Sequence, residues 1–167
     1  MRVERELVVN APRQQVWDYI TDPDNYTLFF SGITHWEVEG RRKRGCGARY
    51  RMLMKVGSAE VGGLVEVVEF EEPGDMAWTS VLGLDQRGRW RLREDGPNRT
   101  SVMFRLSYHA PGGLLGWLSD QLSAPIVRGN INHTLENIRR HFESERADDA
   151  RRARAKSSKR ATARTSP

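Results

Sequence analysis

The chain has 167 residues, 38% of them apolar and 29% charged, with a formal net charge of +5. That length suits one domain with a substantial core. The single cysteine, Cys46, excludes an intrachain disulfide, and no run approaches the roughly 20 apolar residues of a membrane span.

The charge is unevenly placed. Of 27 basic and 22 acidic residues, eight and three lie in 144–167, leaving 19 of each elsewhere. The basic excess belongs to the tail and says nothing about a ligand of the body. The opening MRVERELVV carries charges where a secretion signal needs an apolar centre, so a cytoplasmic protein is expected.

Arg2 to Asn10 is rich in Val and Leu and predicts a strand. Ala11-Pro12 ends it, and Pro12 suits the start of a helix carrying Val16, Trp17, Tyr19 and Ile20. Asp22-Pro23-Asp24 breaks that helix and starts a second short one through Phe29 and Phe30, which Gly32 ends. From Ile33 the period becomes two, with Trp36 and Val38 on one face. A basic turn, Gly40 to Gly47, leads to a strand with Tyr50, Met52, Met54 and Val56 on one face. After Gly57-Ser58 comes a long strand, Ala59 to Phe70, with Val61, Val65 and Val67 together; its Gly62-Gly63 predicts a bend or bulge. Pro73-Gly74-Asp75 reads as a turn and Met76 to Val81, with Trp78, as a short strand.

Leu84 to Arg93 alternates most cleanly. Leu84, Gln86, Gly88, Trp90 and Leu92 face one way; Asp85, Arg87, Arg89, Arg91 and Arg93 face the other. Thr100 to Ala110 follows, with Val102, Phe104, Leu106 and Tyr108 on one face. The last helix carries Val127, Ile131, Leu135, Ile138 and Phe142 at steps of four, four, three and four, one apolar stripe. Leu114, Leu118 and Leu122 fall off that stripe, which predicts a kink or break at Ser123-Ala124-Pro125 and a lid-like segment before it. Short turns between six successive strands predict antiparallel neighbours, and one sheet with one striped helix predicts an α+β layer architecture. The tail, 144–167, is rich in Ala, Arg, Ser and Lys without an apolar period and is expected to be disordered.

Val9-Asn10-Ala11-Pro12, then Val16-Trp17-Asp18-Tyr19-Ile20, then Asp22-Pro23 and Tyr26, with Leu135-Glu136-Asn137-Ile138 near the end, resemble the START and birch-pollen-allergen (SRPBCC) superfamily. The nearest branch is similar to the polyketide cyclase/dehydrase and coenzyme Q-binding START-like proteins. The resemblance covers about residues 1–143. It implies the helix-grip fold: a seven-stranded curved antiparallel sheet around a long C-terminal helix, two short helices after the first strand, and a cavity between sheet and helix. It implies ligands such as lipids, sterols, quinones or polyketides, with a minority of enzymes and one branch described as a ribosome-association inhibitor. Thr27-Leu28-Phe29-Phe30 departs from the Pro and aromatic that many relatives carry after the Tyr, so ligand identity is not carried over.

The apolar face supplies the candidate ligand-binding residues: Tyr50, Met52, Met54, Val65, Trp78, Gln86, Trp90, Phe104, Leu106, Tyr108, Val127, Ile131 and Leu135. Tyr26, Phe29 and Phe30 are the candidate cavity entrance. Each of these also reads as plain core, because cavity and core share one face. A cavity filled by its own side chains would overturn the ligand-binding and enzyme readings together. His35, His109, His133 and His141 show no metal spacing, no catalytic pair can be named, and no motif calls for a metal or cofactor. Arg87, Arg89, Arg91 and Arg93 read either as a solvated face or as an under-neutralised basic stripe for RNA, anionic lipid or protein; the expected neighbouring strands offer few acids. Arg41 to Arg44 reads as a solvated turn, and Cys46 as exposed. The leading expectation is a carrier or sensor of a hydrophobic small molecule. A cyclase/dehydrase enzyme, and a ribosome- or RNA-interacting protein using the Arg row and tail, are the alternatives. The basic tail is a candidate for weak contact with an anionic surface, without a firm nucleic-acid signal.

Overall fold

The structure, a computed structural model, describes residues 1–109 and 120–163, with side chains over 1–109 and 125–156. In chain order it contains β1 (Arg2–Val9), α1 (Arg13–Thr21), a 3₁₀ turn (Pro23–Asn25), α2 (Tyr26–Phe29), β2 (Ile33–Glu39), β3 (Arg49–Val56), β4 (Ala59–Glu71), β5 (Asp75–Gly83), β6 (Asp85–Glu94), β7 (Thr100–His109) and α3 (Asp120–Ala163). The strands form a seven-stranded sheet in the order β1-β7-β6-β5-β4-β3-β2, with every neighbour antiparallel. The fold is α+β and helix-grip in type, as the resemblance implied.

Local chemistry places the short elements. Pro12 caps α1, whose Val16, Trp17, Ile20 and Thr21 are buried. The Asp22 carboxylate accepts from the Asp24 backbone N–H at 3.0 Å, which stops α1 and starts the 3₁₀ turn. In β4, a Cβ on Gly62 would collide with the carbonyl oxygen of Met52, and one on Gly63 with that of Leu82. Glycine is therefore required there by the close approach of β3 and β5. The register shifts of β4 against β5 fall slightly later, at Leu64/Val65 and Val67/Glu69.

α3 lies on the concave face of the sheet. Val127, Ile131, Leu135, Ile138 and Phe142 are all buried, as their spacing predicts, and Thr134 joins them. Thr134 Oγ1 donates to the Asn130 carbonyl at 2.8 Å and accepts from the Ser31 backbone N–H at 2.9 Å. Asn137 Nδ2 donates to the Phe29 carbonyl at 3.1 Å. Gly32, at φ +85°, passes against Asn130, where a Cβ would collide with the amide. These contacts latch the end of α2 to α3.

Two expectations are corrected. α3 is continuous through Ser123-Ala124-Pro125, so of the kink or break expected there the break is absent. A proline removes one helical hydrogen bond, and neighbours that keep helical angles can hold the helix together around it. Leu114 and Leu118, with the lid-like segment expected there, lie outside the described residues. The tail is also not disordered over the described part, since α3 continues to Ala163. Ala, Arg, Lys and Glu are good helix formers, and extending an anchored helix needs no new nucleus. Residues 143–156 of this extension are all exposed. No helix among the described residues is long and apolar enough to cross a membrane.

Ile138, fully buried in the stripe, provides a direct test of this packing. Ile138→Ala should lower the free energy of unfolding in urea by about 2–5 kcal/mol. Arg140→Ala, on the outer side of the same helix, should change it by less than about 0.5 kcal/mol.

Candidate functional site

The interior between sheet and α3 is an aromatic assembly. Tyr26 of α2 stacks on Trp36 of β2 with centroids 4.0 Å apart and planes 4° from parallel. Trp36 stacks in turn on Tyr50 of β3 at 4.7 Å. On the other side Trp90 of β6 packs on Phe104 of β7 at 4.2 Å, Phe30 meets Phe104 edge-on at 5.4 Å, and Trp78 of β5 lies 5.9 Å from Phe104. The Trp78 ring lies over its cross-strand partner Gly88, where a Cβ would collide with it. Offset and edge-on pairs of this kind are the favoured ring arrangements.

Between the two groups lies a small void walled by Tyr26, Phe30, Trp36, Tyr50, Met52, Val65, Val67, Met76 and Trp78. The space open to the centres of water-sized probes is about 10 Å³, little more than one water needs. A roomy preformed cavity is therefore absent at this wall. Among the described residues this part of the interior is nearly filled by its own side chains, and a ligand would enter here only if they gave way.

The polar atoms of the interior are few. The Tyr50 hydroxyl donates to the Lys43 carbonyl at 2.8 Å. Gln86 Nε2 approaches the Met52 sulfur at 3.7 Å, and the Tyr108 hydroxyl approaches the Met1 sulfur at 3.1 Å. Burial pushes the Tyr50 hydroxyl up to about 12, the nearby Arg44 charge opposing it. Burial, with the neighbouring Tyr50, raises Tyr26 further still. The site thus disfavours negative charge. The indole N–H groups of Trp17, Trp36 and Trp78 are buried without a hydrogen-bond partner among the described residues, while Trp90 interacts with the Tyr26 hydroxyl. A buried donor left unpaired costs about 1–3 kcal/mol, so such groups are rare in folded proteins.

Six of the sequence candidates meet at the void: Tyr26, Phe30, Tyr50, Met52, Val65 and Trp78. Trp36, Val67 and Met76 belong to the wall and were missed, although the two-residue alternation had placed Trp36 and Val67 on an apolar face. Met54, Gln86, Trp90, Phe104, Leu106, Tyr108, Val127, Ile131 and Leu135 are buried but do not line this void. Tyr26, Phe29 and Phe30 do not form an exposed rim. All three are buried, because the single turn of α2 points them inward, and Leu28 at 68% exposure is the residue that faces out.

The Arg row is corrected too. Arg89 pairs with Glu69, and with Asp75 at 3.2 Å; Arg91 reaches Asp75 at 2.8 Å and Arg93 reaches it at 2.7 Å. Asp75 is only 6% exposed. Burial pushes its carboxyl up, but the hydrogen bonds and charges of Arg91 and Arg93 outweigh this and hold it below the ordinary range. The counter-charges escaped the pattern for two reasons. Asp75 is the first residue of β5 and not part of the turn, and the shift at Val67/Glu69 rotates Glu69 onto the outer face opposite Ala77. No ion pair among the described residues reaches Arg87, and the other three arginines share the two carboxylates Asp75 and Glu69, so the row is partly neutralised. Arg44 is not merely solvated either. It donates to Thr21 Oγ1 at 2.9 Å and Asp18 at 3.1 Å, and lies over the Phe70 ring. Cys46 is exposed, as are His35, His109 and His133, while His141 stacks on Tyr19 at 3.9 Å. Among the described residues no group of His, Cys, Asp and Glu is placed to hold a metal.

Fold and interior together define a helix-grip protein with a closed, aromatic, donor-bearing core between sheet and helix. Residues 1–143 match the model of the family described as polyketide cyclase/dehydrase and lipid transport, and the chain belongs to that family. Solved structures with the same fold include a protein of Thermus thermophilus, 20% identical, TM-score 0.74, covering 87% of this chain and 99% of that one. The Zhui aromatase/cyclase of a Streptomyces species is 18% identical, with TM-score 0.70, covering 86% of this chain and 93% of that one. A START superfamily protein of Mycobacterium smegmatis is 17% identical, with TM-score 0.62, covering 86% and 95%. No curated protein matches the sequence.

Asp75 makes the outer face sensitive to acid. A carboxyl held below its ordinary range in the folded state stabilises the fold above its unfolded pKa, and that contribution fades as pH falls through the folded value. Asp75→Asn should lower the unfolding free energy by about 1–3 kcal/mol at neutral pH. The difference from the native chain should stay level above about pH 5 and shrink below about pH 4, as urea titrations at several pH values would read out.

Proposed function

We propose that the protein binds a hydrophobic small molecule, lipid-, quinone- or polyketide-like, between the concave face of the sheet and α3. The observation that carries the reading is the enclosed void whose wall is aromatic and methionine-rich, with Met52 and Met76 on either side of Val65 and Val67. Methionine is the most deformable of large apolar side chains, so this wall can give way at low cost. Burial of apolar ligand surface, at about 25 cal/mol per Å², is the driving force. Membership of a family described by both cyclase/dehydrase chemistry and lipid transport supports a hydrophobic ligand. Carriage is the first reading because the wall holds no carboxylate, imidazole or amine within reach of a bound molecule. Cyclisation or dehydration is the second, favoured by the family description and the likeness to an aromatase/cyclase. A ribosome- or RNA-binding role ranks behind these, because Asp75 and Glu69 partly neutralise the Arg row. The basic end of α3 has no assigned role in this reading.

Native mass spectrometry of the protein purified from its own host is the test. A retained organic molecule of low polarity is the expected result. Protein that carries nothing and fails to take up a neutral hydrophobic dye such as Nile red would overturn the reading. Incubating the extracted molecule with fresh protein then separates the two readings: unchanged mass for a carrier, loss of water for a cyclase/dehydrase. Met76→Ala, which enlarges the void, should tighten Nile red binding while lowering the unfolding free energy by about 2–5 kcal/mol.

A further inference from the structure

The outer face of the sheet, away from α3, carries an open groove of about 550 Å³. Strand pairing fixes what stands in it. One ladder across β5, β6, β7 and β1 runs Thr79, Arg87, Ser107, Arg2, and the next runs Ala77, Arg89, Arg105, Glu4. Four of these are arginines, and all four line the groove against one lining carboxylate, Glu69. The short side chains of Ala77, Thr79 and Ser107 line it between the arginines and leave the space open. Arg89 and Arg105 are direct cross-strand partners, a placement that like charges disfavour. Their carboxylates lie on opposite sides of the pair: Arg89 is held by Glu69 of β4, and Arg105 by Glu4 of β1 at 2.6 Å.

The remaining acids nearby are already engaged. Glu4 also meets Arg2 at 3.1 Å, Glu66 opposite Thr79 is held by Arg49 at 2.6 Å, and Asp85 lies 3.7 Å from His109. Arg87 is exposed and has no ion pair among the described residues. The residues directly opposite it on both neighbouring strands, Thr79 and Ser107, carry hydroxyls that make no side-chain hydrogen bond among the described residues. Guanidinium and hydroxyl donors thus converge from several directions, which suits the three free oxygens of a phosphate better than the two of a carboxylate. A doubly charged group between Arg89 and Arg105 would also replace their repulsion with attraction.

We propose that this groove binds a phosphate or diphosphate group of a small soluble molecule, with Arg87 as the central contact, Arg2, Arg89 and Arg105 around it, and the Thr79 and Ser107 hydroxyls donating to its oxygens. A nucleic-acid strand fits less well. Arg91 and Arg93, which would prolong the row, are held by Asp75, and Trp78, the one aromatic residue of the groove, is buried and offers no base a stacking face. The site is on the other face of the sheet from the interior void and stands whether or not that interior takes a ligand.

Isothermal titration calorimetry of the full chain with sodium pyrophosphate, at low ionic strength where exposed charges are least screened, is the test. Saturable binding is expected, and Arg87→Gln should weaken it about tenfold or more. Thr79→Val/Ser107→Ala leaves the charge unchanged and should weaken it about threefold or more. Arg128→Gln removes the same charge from an exposed position on α3 and should stay within about twofold of the native chain. If the hydroxyl variant does not fold, ¹⁵N-edited spectra of the native chain replace it: the amide signals of Thr79, Arg87 and Ser107 should move with pyrophosphate and those of α3 should not. Absence of pyrophosphate binding overturns the proposal. So does a loss in Arg87→Gln no larger than in Arg128→Gln, full affinity in the folded hydroxyl variant, or unmoved amide signals. Binding to phosphatidic acid vesicles or to a single-stranded oligoribonucleotide without binding of pyrophosphate overturns the assignment to a small soluble molecule.

Discussion

The molecule depends on the burial of one helical stripe in the hollow of one sheet. Val127, Ile131, Leu135, Ile138 and Phe142 are each almost wholly removed from water on α3, and no other helix among the described residues carries a buried stripe of that length. This contact also sets the position of α2. Ser31 and Phe29 engage Thr134 and Asn137 through backbone hydrogen bonds, so α2 follows α3. Tyr26 and Phe30 are thereby carried into the interior, where they meet aromatic residues from β2, β3, β6 and β7. The void is what remains when flat rings from several directions meet and cannot fill every corner.

That interior departs from a well-satisfied core. Ordinary folding would pair its indole donors, since an unpaired buried N–H lowers stability for no packing gain. Among the described residues the Trp36 and Trp78 indoles are unpaired, beside two deformable methionines. The closed void and the binding reading are compatible because a methionine side chain moves at far lower cost than a strand.

The convex face follows a different logic. Four arginines on alternate residues of β6 suggest a surface for polyanions, yet two carboxylates of the chain compensate part of that charge. One buried carboxylate, Asp75, serves three of them, and Glu69 adds a second partner to Arg89. Such an arrangement ties β6 to β5 and β4.

The sequence by itself determined most of the architecture. Periods of two and of near 3.6 are backbone properties, so seven strands, the early helices and the buried stripe of α3 were legible from apolar spacing alone. Six of the nine residues of the void wall were among the sequence candidates, four of them because strand alternation puts Tyr50, Met52, Val65 and Trp78 on one face. Tertiary structure decided the rest. A strand boundary off by one residue hid Asp75 in a turn, and a single register shift in β4 reversed the side on which Glu69 stands. The exposed extension of α3 looked disordered because its composition cannot form a core, but a helix already anchored at Phe142 can continue without one. Which aromatic rings meet, and which donors remain unpaired, depends on residues up to a hundred positions apart, and no local pattern encodes that distance.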